Sequence, residues 1–143
     1  MPRPTKVRGA IALIALSLFS VNIAPLSHAQ AAKTLAITES NNGRTVKASL
    51  GQSISITLHS TYWNVGAVSH LKLVGDAQIT PIMPGPSAPA TCQHPGMGCG
   101  TIVWKYVATA RGTSSFTATR DSCGEALQCT ATQKKFKVTF KVA

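Results

Sequence analysis

Beyond residue 30, apolar positions recur at every second residue. Phe136, Val138, Phe140 and Val142 share one face of a run whose other face carries Lys135, Lys137, Thr139 and Lys141. Ile54, Ile56 and Leu58 alternate with Ser53, Ser55 and Thr57. Val46, Ala48 and Leu50 alternate with Thr45, Lys47 and Ser49, and Phe116 and Ala118 with Thr117 and Thr119. A period of two sends successive side chains to opposite sides of an extended chain, so each run predicts a strand with one face buried. Residues 101–110 are apolar on both faces around Trp104 and Tyr106, as a central strand would be. No segment in this region carries a 3.6-residue apolar period. Its many threonines favour strands as well, because branching at Cβ restricts χ1.

Turn residues separate the runs. Asn41-Asn42-Gly43 predicts a tight hairpin between residues 35–39 and 45–50. Arg111-Gly112 predicts another between 101–110 and 113–120, and Gly51, Gly66 and Gly75-Asp76 mark further breaks. The result is an all-β, antiparallel sandwich or barrel of about seven or eight strands. Two stretches read as loops. Residues 81–100 hold five of the eight prolines, and residues 121–132 lie between two strong strands. Long loops in compact domains are often functional.

The first thirty residues have another grammar. Arg3, Lys6 and Arg8 precede an uncharged apolar run over 9–24, which Pro25 breaks. Ser27-His28-Ala29 then places small residues at the −3 and −1 positions of a cleavage site. This is the layout of a secretory signal peptide over 1–29, followed by one domain over 30–143. The apolar run is shorter than the roughly 20 residues that a membrane span requires. Removing the signal lowers the net charge from +10 to +7, because three of the 14 Lys+Arg leave and all 4 Asp+Glu stay.

Four cysteines in an exported chain imply two disulfides with three possible connectivities. Cys92 and Cys99 fall in the first loop and Cys123 and Cys129 in the second. Local pairing is the first choice and cross-pairing between the loops the alternative. Closing so short a loop stabilises by roughly 2–3 kcal/mol in the chain-entropy model. Zinc is a weaker reading, since the spacing is not of the C-x2-C type. Cys92, His94 and Met97, with His59 or His70, would suit a type-1 copper site, but Cys99 is a ready disulfide partner for Cys92.

No G-x-S-x-G, H-E-x-x-H or phosphate-binding Gly-rich loop is present. Asp121 and Glu125 could form a carboxylate pair, but Arg120 adjoins them and loop acids are usually solvated. The chain therefore reads as a non-enzyme with no cofactor. Its basic residues are spread over several strands, and no aromatic-plus-basic stacking motif marks a nucleic-acid binder. Lys135, Lys137 and Lys141 read as guards against edge-to-edge pairing on an edge strand. Attraction to anionic envelope polymers is the remaining use of the charge.

The order of these features resembles the chagasin-like inhibitors of papain-type cysteine peptidases. The resemblance runs from about Leu35 to Val142. It rests on Asn41-Asn42-Gly43, Gly-x-Ser-Ile-x-Ile-x-Leu at 51–58, Ser-Thr-Tyr-Trp at 60–63, Gly-x-Gly at 98–100, the strand 101–110, Arg111-Gly112, Arg120, and a last Lys-x-Phe-x-Val strand. It implies an immunoglobulin-like β-sandwich whose three end loops enter a peptidase cleft without covalent chemistry. On this reading Ser60, Thr61 and Tyr62 belong to the first inhibitory loop, Gly98 and Gly100 to the second, and Arg120 to the third. The two glycines would let backbone approach a partner closely. Trp63 is implied to be structural, as Trp104 is on its central strand. The family's first loop reads Asn-Pro-Thr-Thr-Gly-Tyr-x-Trp and its third Arg-Pro-Trp. Here the Asn-Pro and the Gly of the first, and the Pro-Trp of the third, are absent. The expected partner is a papain-like peptidase, bound by a secreted monomer through residues 59–65, 84–100 and 120–132. The rival expectation is a non-inhibitory extracytoplasmic binding module of the same fold.

Overall fold

A computed structural model describes residues 33–66, 68–124 and 126–143. The proposed signal peptide lies outside them. The described residues form eleven strands: β1 (Leu35–Ile37), β2 (Thr45–Ala48), β3 (Ser53–His59), β4 (Asn64–Val65), β5 (Leu71–Leu73), β6 (Gln78–Pro81), β7 (Gly100–Ala108), β8 (Gly112–Thr119), β9 (Ser122–Gly124), β10 (Leu127–Gln128) and β11 (Lys135–Val142). Strands β3, β8 and β11 fall where period-two alternation places them, and β7 falls in the run read as apolar on both faces, although its burial alternates, with Lys105 exposed. Among the described residues no helix is long and apolar enough to cross a membrane.

Two sheets enclose the core. One runs β1-β3-β7, with β5 and β6 sharing the far edge of β7; the other runs β2-β11-β8-β4. Phe116 is fully buried at the centre, with the rings of Trp104, Tyr106 and Phe136 at 5.6, 5.8 and 6.1 Å in tilted or edge-on contact. Such geometry aligns ring edges with ring faces and adds to the gain from burial. Ile37, Ile54, Ile56, Leu58, Val138 and Phe140 complete the fully dry layer.

Both expected hairpins are corrected. Strands β1 and β2 do not pair: β1 runs parallel to β3, and β2 parallel to β11. A helical turn at Glu39–Asn41 lifts the chain from one sheet to the other, so Ile37 and Ala48 enter the core from opposite sides. The Asn42 side chain then stands in for a strand residue. Its amide donates to the Lys135 carbonyl at 3.2 Å, and its oxygen accepts from the Lys137 N–H at 2.9 Å. Strand β8 likewise does not pair with β7, because both edges of β7 are taken by β3 and by β5 and β6. The segment after Ala108 is a crossover corner, and Gly112 at φ +118° makes the bend that an L-residue rarely adopts.

The sheets are antiparallel except at the β1–β3 and β2–β11 pairs. Residues 121–132, read as loop, contain the β9–β10 hairpin. Strand β11 pairs with β8 along its length but with β2 only over Thr139–Val142, so Lys141 does not guard an edge, while beside Lys135 and Lys137 the open side is met by the Asn42 side chain.

Candidate functional site

The three expected loops meet at one end of the sandwich, and the His59 backbone is their junction. Strand β3 ends there, and Ser60 follows at φ +96°, a conformation seldom adopted outside glycine and held here by its neighbours. The Ser60 N–H donates to the Gly100 carbonyl and the Thr61 N–H to that of Gly98, each at 2.8 Å. The first loop is thus bonded along the base of the second.

Tyr62 and Trp63 go separate ways from that base. The Tyr62 hydroxyl donates to the Gly96 carbonyl at 2.6 Å, and its ring lies on Gly98. A Cβ on Gly98, already at φ +62°, would fall 2.2 Å from that ring; one on Gly100 would fall 2.4 Å from the Thr80 carbonyl. Both glycines are therefore required by packing within the chain itself. Trp63 turns into the core, and its indole N–H donates to the His59 carbonyl at 2.8 Å.

Arg120 joins the third loop to the first. Its guanidinium lies 4.4 Å from the centroid of the Trp63 ring, its Nε donates to the Gln133 carbonyl at 3.1 Å, and its Nη1 reaches the His59 carbonyl at 3.5 Å. Stacking over an indole together with carbonyl contacts is a role that a guanidinium fills and an ammonium does not. Partial burial lowers its pKa, an effect that the charge of Glu39 opposes.

Glu39, which sequence reasoning missed, holds the other side of His59. Its carboxylate accepts from the His59 N–H and lies 3.1 Å from the ring Nδ1. Desolvation of the carboxyl pushes its pKa up, but the hydrogen bonds from the two backbone N–H groups and the His59 ring outweigh it and hold the pKa below the ordinary value. Only its rarity, as one of 4 acidic residues, could have singled it out.

Disulfides close both outer loops locally, Cys92 to Cys99 and Cys123 to Cys129, with Cα separations of 5.8 and 5.0 Å. Cross-pairing is thereby set aside. So is the copper reading: the Cys92 sulfur is bonded to Cys99, and His70 lies at the other end of β7 from His59. His94 is an exposed loop residue. The two closed loops touch, since a Cβ on Gly124 would meet the Met97 Cε at 3.5 Å.

An open groove of about 650 Å³ runs between the loops, with walls that include His59, Met97, Arg120 and Leu127. Beside it stand apolar side chains that sequence reasoning also missed: Ile82, Met83 and Leu127 are 42%, 76% and 62% exposed. Period-two analysis does not detect them, because they sit outside the main strands. Of the expected site residues, Ser60, Thr61, Tyr62, Gly98, Gly100 and Arg120 are all at this end. Trp104 is in the core against Phe116.

No family model matches the chain, and no curated protein is similar to it in sequence. Solved structures are similar to it in fold. Amebosin superposes with a TM-score of 0.52 at 17% identity, covering 77% of this chain and 98% of that one. The cysteine protease inhibitor EhICP2 from Entamoeba histolytica superposes with a TM-score of 0.54 at 15% identity, covering 77% of this chain and 96% of that one. The chain therefore has a chagasin-like β-sandwich fold.

Proposed function

We propose that the chain is an exported, monomeric, non-catalytic inhibitor of papain-like cysteine peptidases, binding reversibly through its loop end. The observation that carries this reading is the fastening of three loops around His59, with apolar tips left in solvent. The hydrogen bonds, the Arg120 stack and two local disulfides hold the loops before any partner arrives. Prior ordering lowers the entropic cost of binding, so more of the contact energy appears as affinity. The Ile82, Met83 and Leu127 side chains supply surface that gains by leaving water. Nothing in this scheme consumes the peptidase thiol. The fold shared with an inhibitor of cysteine proteases adds support. The two disulfides accord with an oxidising compartment.

Steady-state assays of several papain-type peptidases with the full chain test this. Reversible, competitive inhibition that dilution relieves is expected. Full activity of every enzyme at about 1 μM chain, where a specific complex would be substantially formed, counts against it.

A second reading is a non-inhibitory extracytoplasmic binding module. What favours it is that the Tyr62 ring and hydroxyl and the Arg120 guanidinium are engaged inside the chain. In addition, a disulfide-closed hairpin stands where the family has Pro-Trp.

A further inference from the structure

We infer that the outer face of the β2-β11-β8-β4 sheet is a second binding surface, for a linear acidic polysaccharide. Lys135, Lys137 and Lys141 project from it on β11, and Lys47 stands directly opposite Lys141 on β2. All four are exposed. The usual reason for strand lysines is to guard an open edge. Strand β2 pairs with β11 over Thr139–Val142, so that reason does not apply to Lys141, which has a strand on each side. Like charges directly opposite each other across a strand pair destabilise a sheet. Lys47 and Lys141 nevertheless face one another, and none of the described acidic residues relieves them. Glu39 pairs with His59, Asp121 lies 3.8 Å from Lys134 at the loop end, and Asp76 is in the turn between β5 and β6 of the other sheet. An anion supplied from outside would relieve the repulsion.

The pattern selects the kind of anion. Lys135 to Lys141 spans about 20 Å in one line, at roughly 3.4 Å per residue. Hydroxyls flank this line, with Thr117 beside Lys137 and Thr113 beside Lys141. A row of charges edged by hydroxyls matches a linear chain that carries both acidic groups and hydroxyls. No described side chain on the face is a large apolar group that could enter a bilayer or an aromatic ring that could stack on a base. The surface runs along the side of the sandwich, none of its lysines lines the groove, and only its Lys135 end adjoins the loop end.

The test is binding of the full chain to heparin, as the probe polysaccharide, at about 0.15 M salt. The variant Lys47→Gln/Lys137→Gln/Lys141→Gln is compared with Lys33→Gln/Lys72→Gln/Lys105→Gln, which removes equal charge from the side of the other sheet. The first variant is expected to weaken binding at least about tenfold and to flatten its salt dependence, while the second stays within about twofold. Replacing the same three lysines by arginine is expected to preserve affinity. Equal losses in the two glutamine variants would reduce the effect to net charge and overturn the site. So would no heparin binding by the wild-type chain. Equal or tighter binding to anionic phospholipid vesicles or to duplex DNA would overturn the choice of polysaccharide.

Discussion

Gly98 occupies a position that no other residue fits without movement. Its φ of +62° disfavours any side chain, and a Cβ would overlap the Tyr62 ring. Gly98→Ala is expected to lower stability by about 1–3 kcal/mol, from backbone strain plus displacement of the ring, as measured by urea unfolding. Glu39 has a different signature. Its carboxylate is held below its ordinary pKa in the folded chain, so it binds a proton less readily there than in the unfolded chain. The stability that it contributes is complete above the ordinary carboxylate range and fades as pH falls through its folded pKa. The side chain is 40% exposed, so solvent screens the effect. Glu39→Gln should therefore cost stability at neutral pH, with the gap from wild type narrowing steadily in acid. Thermal unfolding at a series of pH values checks this, and a gap constant with pH would contradict it.

At the scale of elements, the two disulfides act on loops and leave the sheets alone. Each closes a short loop, with sequence separations of 7 and 6. Cys92→Ser/Cys99→Ser is expected to lower stability by about 2 kcal/mol in the chain-entropy model. Hydrogen exchange should rise in residues 82–99 while β3, β7, β8 and β11 keep their protection. The long strands were legible in the sequence because one face of each is buried, and burial writes itself as alternation: Phe136, Val138, Phe140 and Val142 are an example. Pairing was not legible. Asn41-Asn42-Gly43 and Arg111-Gly112 are good turn signals, but a chain that crosses between sheets uses the same residues as one that folds back in a single sheet. Which occurs depends on whether an edge is free, and distant strands decide that. The loop end was half legible. Gly98, Gly100 and Arg120 stand in recognisable motifs, whereas Glu39 and Gln133 act through backbone contacts that leave no pattern.

Over the whole molecule, two surfaces adjoin at the start of β11, where Lys135 follows the loop-end residues Gln133 and Lys134. The loop end gathers apolar tips around His59, and the β11 face presents lysines and threonines along the flank. Because the lysine face shares no residue with the tips, Lys47→Gln/Lys137→Gln/Lys141→Gln should leave peptidase inhibition unchanged. In the proposed binding mode the loop end itself grips the peptidase without covalent chemistry. This mode is tested most directly by calorimetric titration of a papain-type peptidase whose catalytic thiol has been methylated. The wild-type chain and Met83→Asp/Leu127→Asp are compared side by side. The predicted result is stoichiometric binding by the wild type and a loss of about a hundredfold or more in the variant, as for buried apolar anchors replaced by charge. Equal binding by both proteins, or no binding by the wild type, would contradict the account.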